Sequence, residues 1–239
     1  MLRGPDGQER PLIEWTWRAA RAVPQATTVV VATDDRRIAK VVENFGGRVV
    51  MTPTSCANGT ERCAAALDEL PDGTDLIINF QGDAPLTPPQ VVEALVRRME
   101  SDPSLPMATP AVPCTPEMAR HLMEDRAAGR VGGTTVVFNA DHDALYFSKN
   151  VIPFVPDGFD YPVHLHLGVY AYRADALRSY AATPVSQLEQ VEGLEQLRFL
   201  DAGIRVSVVP YDKPAGLIIE LNNPGDAPLI EDELRRRAI

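Results

Sequence analysis

The sequence predicts an α/β fold of three layers, α/β/α, around a mostly parallel sheet. Three observations carry that prediction. Short runs rich in branched apolar residues, such as TTVVVAT (27–33) and DLIINF (75–80), alternate with segments of helical spacing. The runs are apolar at successive positions, as strands covered by helices on both faces must be. Two of them end in carboxylates, at Asp34-Asp35 and at Asp83, and ligands of open α/β sheets gather at such strand ends.

Taken in order, residues 12–23 set Leu12, Ile13, Trp15, Ala19, Ala20 and Val23 near helical spacing, and Pro24 ends the run. A buried strand over 27–33 follows, then a helix over 36–45 closed by Gly46-Gly47, then a strand over 48–52. The apolar run 75–80 is the next strand, and 88–99 the next helix, with proline in its first turn. Further strands are expected at 107–112, 134–138 and 167–172, a helix over 188–201, and a strand at 205–210. Between about 127 and 162 this rhythm weakens while glycine, proline and aromatic residues thicken, which predicts a sugar-binding or dimer-forming subregion within one domain over 1–239.

Composition bounds the function. Of 239 residues, 45% are hydrophobic and 23% charged, enough for an ordinary buried core. The net charge of -10 excludes duplex nucleic acid as a partner, because phosphate binding needs an electropositive footprint. No apolar run approaches the ~18–20 residues of a membrane span and no signal pattern opens the chain, so a cytoplasmic protein without a membrane partner is expected. Cys56, Cys63 and Cys114 show no C-x-x-C spacing, which suggests neither a disulfide framework nor zinc. The pair His164-x-His166 lacks a third soft ligand nearby.

Four segments contain candidate chemistry. In Gln81-Gly82-Asp83 the glycine permits a tight turn at a strand end, and the aspartate either holds a hard cation against phosphate oxygens or caps the next helix. Asn58-Gly59-Thr60-Glu61-Arg62 combines a turn, a hydroxyl and backbone N–H groups at a helix start, suited to ribose or phosphate and equally to a plain helix terminus. His166 and Tyr170 share one face if 165–170 is a strand. Glu195 and Gln196 fall inside the amphipathic 188–201 segment, where polar residues ordinarily face water.

Together these segments resemble, in order and wording, the 3-deoxy-manno-octulosonate (Kdo) cytidylyltransferases, the CMP-Kdo synthetases. The matching stretches are VATDD (31–35), GGRVVMT (46–52), NGTERCA (58–64), NFQGDAPL (79–86), ALYFSKNVIP (144–153), HLGVYAYR (166–173) and LEQVEGLEQLR (188–198). The resemblance implies the nucleotide-diphospho-sugar transferase fold and a homodimer. It also implies transfer of CMP from CTP to the anomeric hydroxyl of Kdo, with release of pyrophosphate, for lipopolysaccharide synthesis. Within that family the acceptor could also be 8-amino-Kdo or a nonulosonate. By position, Asp83 matches a magnesium ligand and Gln81 a sugar-contacting glutamine. His166, Glu195 and Gln196 match residues around the Kdo hydroxyls and carboxylate, and Tyr170 joins them as substrate-binding. Arg62 would supply positive charge near bound anions, and Gly59 and Thr60 would touch the nucleotide.

Three departures stand out. Where the family has a second metal-binding aspartate this chain has Asn222, an oxygen donor without charge. The family's Q-G-D-E-P reads Gln81-Gly82-Asp83-Ala84-Pro85, one carboxylate fewer. The family also opens with a strand and a triphosphate loop of the form I-P-A-R-x-x-S-x-R-x-P-G-K, which residues 1–7 do not match. The expectation is a fold without that central first strand and phosphate loop. Two strand edges would then lack a partner, in a chain that is poorly soluble or catalytically silent while retaining its sugar pocket.

Overall fold

The computed structural model describes residues 1–156, 158–159, 161–212, 220–221 and 224–237. Two short strands, β1 (Leu2–Arg3) and β2 (Glu9–Arg10), pair as a hairpin and lead into α1 (Leu12–Arg21). Next come β3 (Val30–Thr33), α2 (Arg36–Asn44) and β4 (Arg48–Met51). Asp35 caps α2 by accepting the Arg37 N–H, and Gly46 closes the helix at a φ of 81°. Then follow α3 (Gly59–Ala66), β5 (Leu76–Phe80), α4 (Pro89–Ser101), β6 (Met107–Pro113) and α5 (Pro116–Ala127). The chain continues through β7 (Thr135–Phe138), β8 (Ala144–Ser148), β9 (His164–His166), β10 (Val169–Arg173) and α6 (Ala174–Ala182). The remaining elements are α7 (Gln187–Glu192), α8 (Leu197–Asp201), β11 (Val206–Pro210) and α9 (Ala227–Arg237).

The three-layer α/β/α arrangement agrees with the sequence, but the expected mostly parallel sheet is corrected. The main sheet has seven strands in the order β5-β10-β6-β9-β7-β8, with β11 also on β6. Among the described residues only β11 runs parallel to its neighbour in this sheet; every other pair is antiparallel. The crossover from β5 through α4 to β6 exists, yet β10 lies between its two strands and pairs antiparallel with both. A run buried on both faces reports burial, not direction, so a central antiparallel strand reads like a parallel one.

Two expected elements are divided. The 165–170 segment, if read as one strand, is divided at Leu167-Gly168 between β9 on β6 and β10 on β5, and the expected 167–172 strand is β10 alone. The 188–201 helix is α7 and α8, because Gly193 takes a φ of 63° at the C-terminus of α7. The helix α5, not among the elements expected from the sequence, starts at a Thr115 cap whose side chain accepts the Met118 N–H.

The core follows the sheet's two faces. One cluster packs α6 and α8 residues such as Leu177 and Phe199 on Met107, Phe147, Tyr172 and Val206. The other packs Val92, Leu95 and Met99 of α4 on Ala108, Val169 and Ala171. A third, smaller cluster joins Leu2 and Trp15 to Leu86, Ile230 and Leu234, tying the hairpin and α1 to α9.

The pair β3–β4 stands apart from the main sheet as a parallel two-stranded unit. β3 and β5 border a common cavity of about 1020 Å³. Among the described residues β3 pairs only with β4, and β5 only with β10. Residues 2–10 pack in the third cluster instead of forming a strand of the main sheet.

The hairpin gives a direct test of the third cluster. A Cβ on Gly4 would lie 2.4 Å from the Trp15 ring, whose indole N–H donates to the Leu2 carbonyl at 3.1 Å. Gly4→Ala should therefore cost about 1–3 kcal/mol by overpacking and red-shift tryptophan emission. Unchanged emission and an unchanged denaturation midpoint would contradict this packing.

Candidate active site

The site is built where α3 begins. Asn58 adopts an extended backbone and its side-chain carbonyl accepts the Glu61 N–H at 2.8 Å, capping the helix. Glu61 reaches back to accept the Ala57 N–H at 2.7 Å. The next free donor of the first turn, the Thr60 N–H, is taken by the Glu195 carboxylate at 2.8 Å. A helix N-terminus favours such a negative group. The buried Thr60 hydroxyl meets the Tyr172 hydroxyl at 2.7 Å.

Glu195 lies in the turn between α7 and α8, where the expected continuous helix is broken. It is partly buried, and its second oxygen accepts the Gln81 side-chain N–H at 3.2 Å. Burial raises the Glu195 carboxyl above its ordinary range. The bonds from Thr60 and Gln81 pull it down again, and the Glu189 charge pushes it further up. Gln196 is buried, not solvated as its segment suggested, and accepts the Tyr170 hydroxyl at 3.2 Å. Burial, with Glu195 and Glu220 nearby, raises the Tyr170 phenol well above its ordinary range, so it remains a donor.

His166 and Tyr170 do meet, with ring centroids 5.5 Å apart, although they belong to two strands. His166 Nε2 lies 2.8 Å from the buried Thr109 hydroxyl, which also lies 2.9 Å from the Val169 carbonyl. With the one Thr109 proton donated to Val169, Nε2 is the donor and Nδ1 the acceptor. Burial pushes the imidazole down to about 3, so it is neutral at pH 7.

Close packing explains two glycines. A Cβ on Gly59 would come within 3.1 Å of the Asn79 amide nitrogen and 3.0 Å of that of Gln81. One on Gly168 would lie 3.0 Å from a Glu220 carboxylate oxygen. Two cavities flank this junction and share Ala57 and Asn58. The 1020 Å³ cavity also reaches Gly59, Arg62, Asn79 and Gln81, and one of about 400 Å³ reaches Tyr170, Glu189, Glu195 and Gln196.

The structure therefore brings together Gly59, Thr60, Gln81, His166, Tyr170, Glu195 and Gln196. Arg62 is engaged elsewhere on the larger cavity, 3.4 Å from Asp34 and donating to the Thr52 hydroxyl at 2.6 Å. Asp83 follows β5, and its carbonyl accepts the Leu221 N–H at 2.8 Å. Its side chain does not cap α4, which starts behind Pro88. Among the described residues no group of three His, Cys, Asp or Glu could hold a metal ion, and Asn222 lies outside the described residues. The Cys63 thiol is pushed up to about 12 by burial and by Glu195, which removes it as a nucleophile at neutral pH.

Sequence reading passed over Asn79, Tyr180, Glu189 and Arg198. Arg198 is 3% exposed and pairs with both Glu189 and Glu61. An available cue was Gly193, a glycine inside an otherwise helical run, which marks a helix end and hence an inward turn.

Because His166 is held neutral, the unfolded chain binds its proton more readily. The stability this confers is present above pH 6.5 and is lost as pH falls toward 3, at about 1.4 kcal/mol per unit. His166→Gln should flatten the decline of the denaturant midpoint between pH 6.5 and pH 4. A parallel decline in parent and variant would show that His166 does not govern acid sensitivity.

The family model described as cytidylyltransferase matches residues 8–206. The 3-deoxy-manno-octulosonate cytidylyltransferase of Maricaulis maris is 46% identical over 92% of this chain and 85% of its own length. The 8-amino-3,8-dideoxy-manno-octulosonate cytidylyltransferase of Shewanella loihica is 39% identical over 94% of this chain and 88% of its own. Among solved structures, a CMP:2-keto-3-deoxy-manno-octonic acid synthetase complexed with CTP superposes with a TM-score of 0.82 at 32% identity. It covers 95% of this chain and 88% of its own. A 4-diphosphocytidyl-2C-methyl-D-erythritol synthase from Anaerococcus prevotii, 15% identical with a TM-score of 0.58 over 96% of this chain and 87% of its own, shares the fold. The chain belongs to the cytidylyltransferase family that includes the 3-deoxy-manno-octulosonate enzymes.

Proposed function

We propose that this protein transfers the cytidylyl group of CTP to the anomeric hydroxyl of Kdo, releasing pyrophosphate, in the cytoplasmic stage of lipopolysaccharide synthesis. The observation that carries the reading is the contact of Gln81, which lines the larger cavity, with Glu195, which lines the smaller one beside Tyr170 and Gln196, with His166 packed behind Tyr170. The larger cavity, at the start of α3, suits the nucleotide; the smaller suits the sugar acid. The greater identity to the Kdo enzyme than to the 8-amino enzymes favours Kdo as acceptor.

In this reading the chain's own groups orient the acceptor for in-line attack on the α-phosphorus, where positioning and electrostatics dominate. Tyr170 fixes the Gln196 carbonyl, leaving the buried Gln196 amide nitrogen, unpartnered among the described residues, to donate to a sugar hydroxyl. His166, neutral and donating through Nε2, offers Nδ1 as an acceptor. Gln81 and Thr60 hold both oxygens of Glu195.

Asp83 fits a magnesium ligand: no side-chain hydrogen bond or ion pair engages its carboxylate among the described residues, and it follows a sheet strand. Magnesium takes one or two carboxylates beside phosphate oxygens and water, and when bound would neutralise triphosphate charge. We assign homodimer formation to the exposed apolar side chains Phe154 (88% exposed), Phe159 (73%) and Leu145 (62%).

Pyrophosphate release with Kdo should be at least tenfold faster from CTP than from UTP, and faster with Kdo than with 8-amino-Kdo. Equal rates with the two nucleotides would refute the nucleotide assignment, and preference for the amino sugar would reassign the acceptor. Asp83→Asn should lower turnover ~100-fold, about 2.7 kcal/mol of barrier; near-normal turnover at saturating magnesium would remove Asp83 from the site. Light scattering should give twice the chain mass for the parent and the chain mass for Phe154→Ser/Phe159→Ser. A monomeric parent would refute the dimer.

A further inference from the structure

Arg198 lies one residue inside α8, two residues after Gln196, and its side chain is almost wholly enclosed. Its Nε and Nη2 grip the two oxygens of Glu189, each at 2.6 Å, and Nη2 also donates to Glu61 at 2.9 Å. The guanidinium carbon lies 4.0 Å from the centroid of the Tyr180 ring. One planar cation therefore connects α3, α6, α7 and α8. Each partner continues toward the site. Glu61 accepts the Ala57 N–H, Asn58 donates to the Tyr180 hydroxyl at 3.0 Å, and the Tyr180 hydroxyl lies 3.3 Å from both Glu189 and the Glu195 carbonyl. Ala57, Asn58, Glu189 and Glu195 all line the smaller cavity.

We propose that Arg198 is a positioning residue for the acceptor: its guanidinium locks the first turn of α3 against the 194–196 turn and so sets the width of the smaller cavity. The occupant of that cavity rests on the reading given above. Arg198 touches no reacting group. Without its charge the Glu61 and Glu189 carboxylates, both facing the same enclosed volume, would repel each other and part the two segments. A lysine supplies a point charge but not the planar fork that serves two carboxylates and stacks on a ring. The contact between Thr60 and Glu195 would then be held from one side only.

Arg198→Lys tests this through two readouts on the full chain. Amide exchange over 57–62 and 194–196 should quicken at least tenfold while β6 stays protected. In pyrophosphate-release assays the KM for Kdo should rise at least tenfold, with kcat and the KM for CTP within threefold of the parent. If Arg198→Lys does not fold, Glu61→Gln, which replaces the charged acceptor shared by Arg198 and the Ala57 N–H with a neutral amide, carries the same two measurements, with amide exchange read over 194–196. Unchanged local exchange overturns the proposal, as does faster exchange with an unchanged KM for Kdo or an equal rise in both KM values. If the parent itself releases no pyrophosphate from CTP and Kdo, the proposed activity fails. Exchange over 57–62 and 194–196 then decides Arg198 alone, a local rise supporting the positioning role and no change overturning it.

Discussion

The Glu195 carboxylate on the Thr60 N–H joins segments 135 residues apart, and the site depends on that junction. A helix start leaves N–H donors unsatisfied, and a carboxylate fits there because the partial positive charge of the terminus favours it. Enclosure works the other way, raising the carboxyl by desolvation. The contact is therefore a balance, and the surrounding packing decides how closely it is held. Gly59 matters for this reason. A Cβ there would crowd the Asn79 and Gln81 side-chain amides, which would have to shift to admit it.

The sheet topology puts β5 in place for that approach. Because β10 lies between β5 and β6, Tyr170 is directly opposite Asn79, and the same face presents Gln81 two residues along. An all-parallel sheet would have removed this register. Strand positions were legible because two-sided burial makes apolar runs; strand directions were not, because burial is indifferent to them. The hairpin at 2–10 was not legible either, since strands of two residues offer no periodicity.

Of the site, turn chemistry was readable and side-chain destination was not. Gln81-Gly82-Asp83 and Asn58-Gly59-Thr60 were visible as turns at element ends. Glu195 and Gln196 were singled out only by family resemblance, because in a run of helical spacing a polar pair reads as a solvated face. Gly193 reverses that reading: at a φ of 63° it ends α7, and the three residues that follow turn inward. Glu61, Glu189 and Arg198 were hidden for the same reason, since charges on helices ordinarily face water. Their burial becomes intelligible only once α3 and α8 are seen to face each other across one guanidinium.

Charge completes the picture. With a net charge of -10 the chain has no general attraction for anions, and the smaller cavity even has Glu189 and Glu195 in its wall. Glu189 is paired with a bidentate arginine, and burial raises the Glu195 carboxyl above its ordinary range. Besides these two carboxylates the wall includes the protonated Tyr170 phenol and Gln196, whose amide nitrogen is without a partner among the described residues. The Lys149 ammonium overlies Gly193 at the rim, 2.8 Å from where a Cβ there would be. Such a wall suits directed hydrogen bonds rather than broad attraction of negative charge.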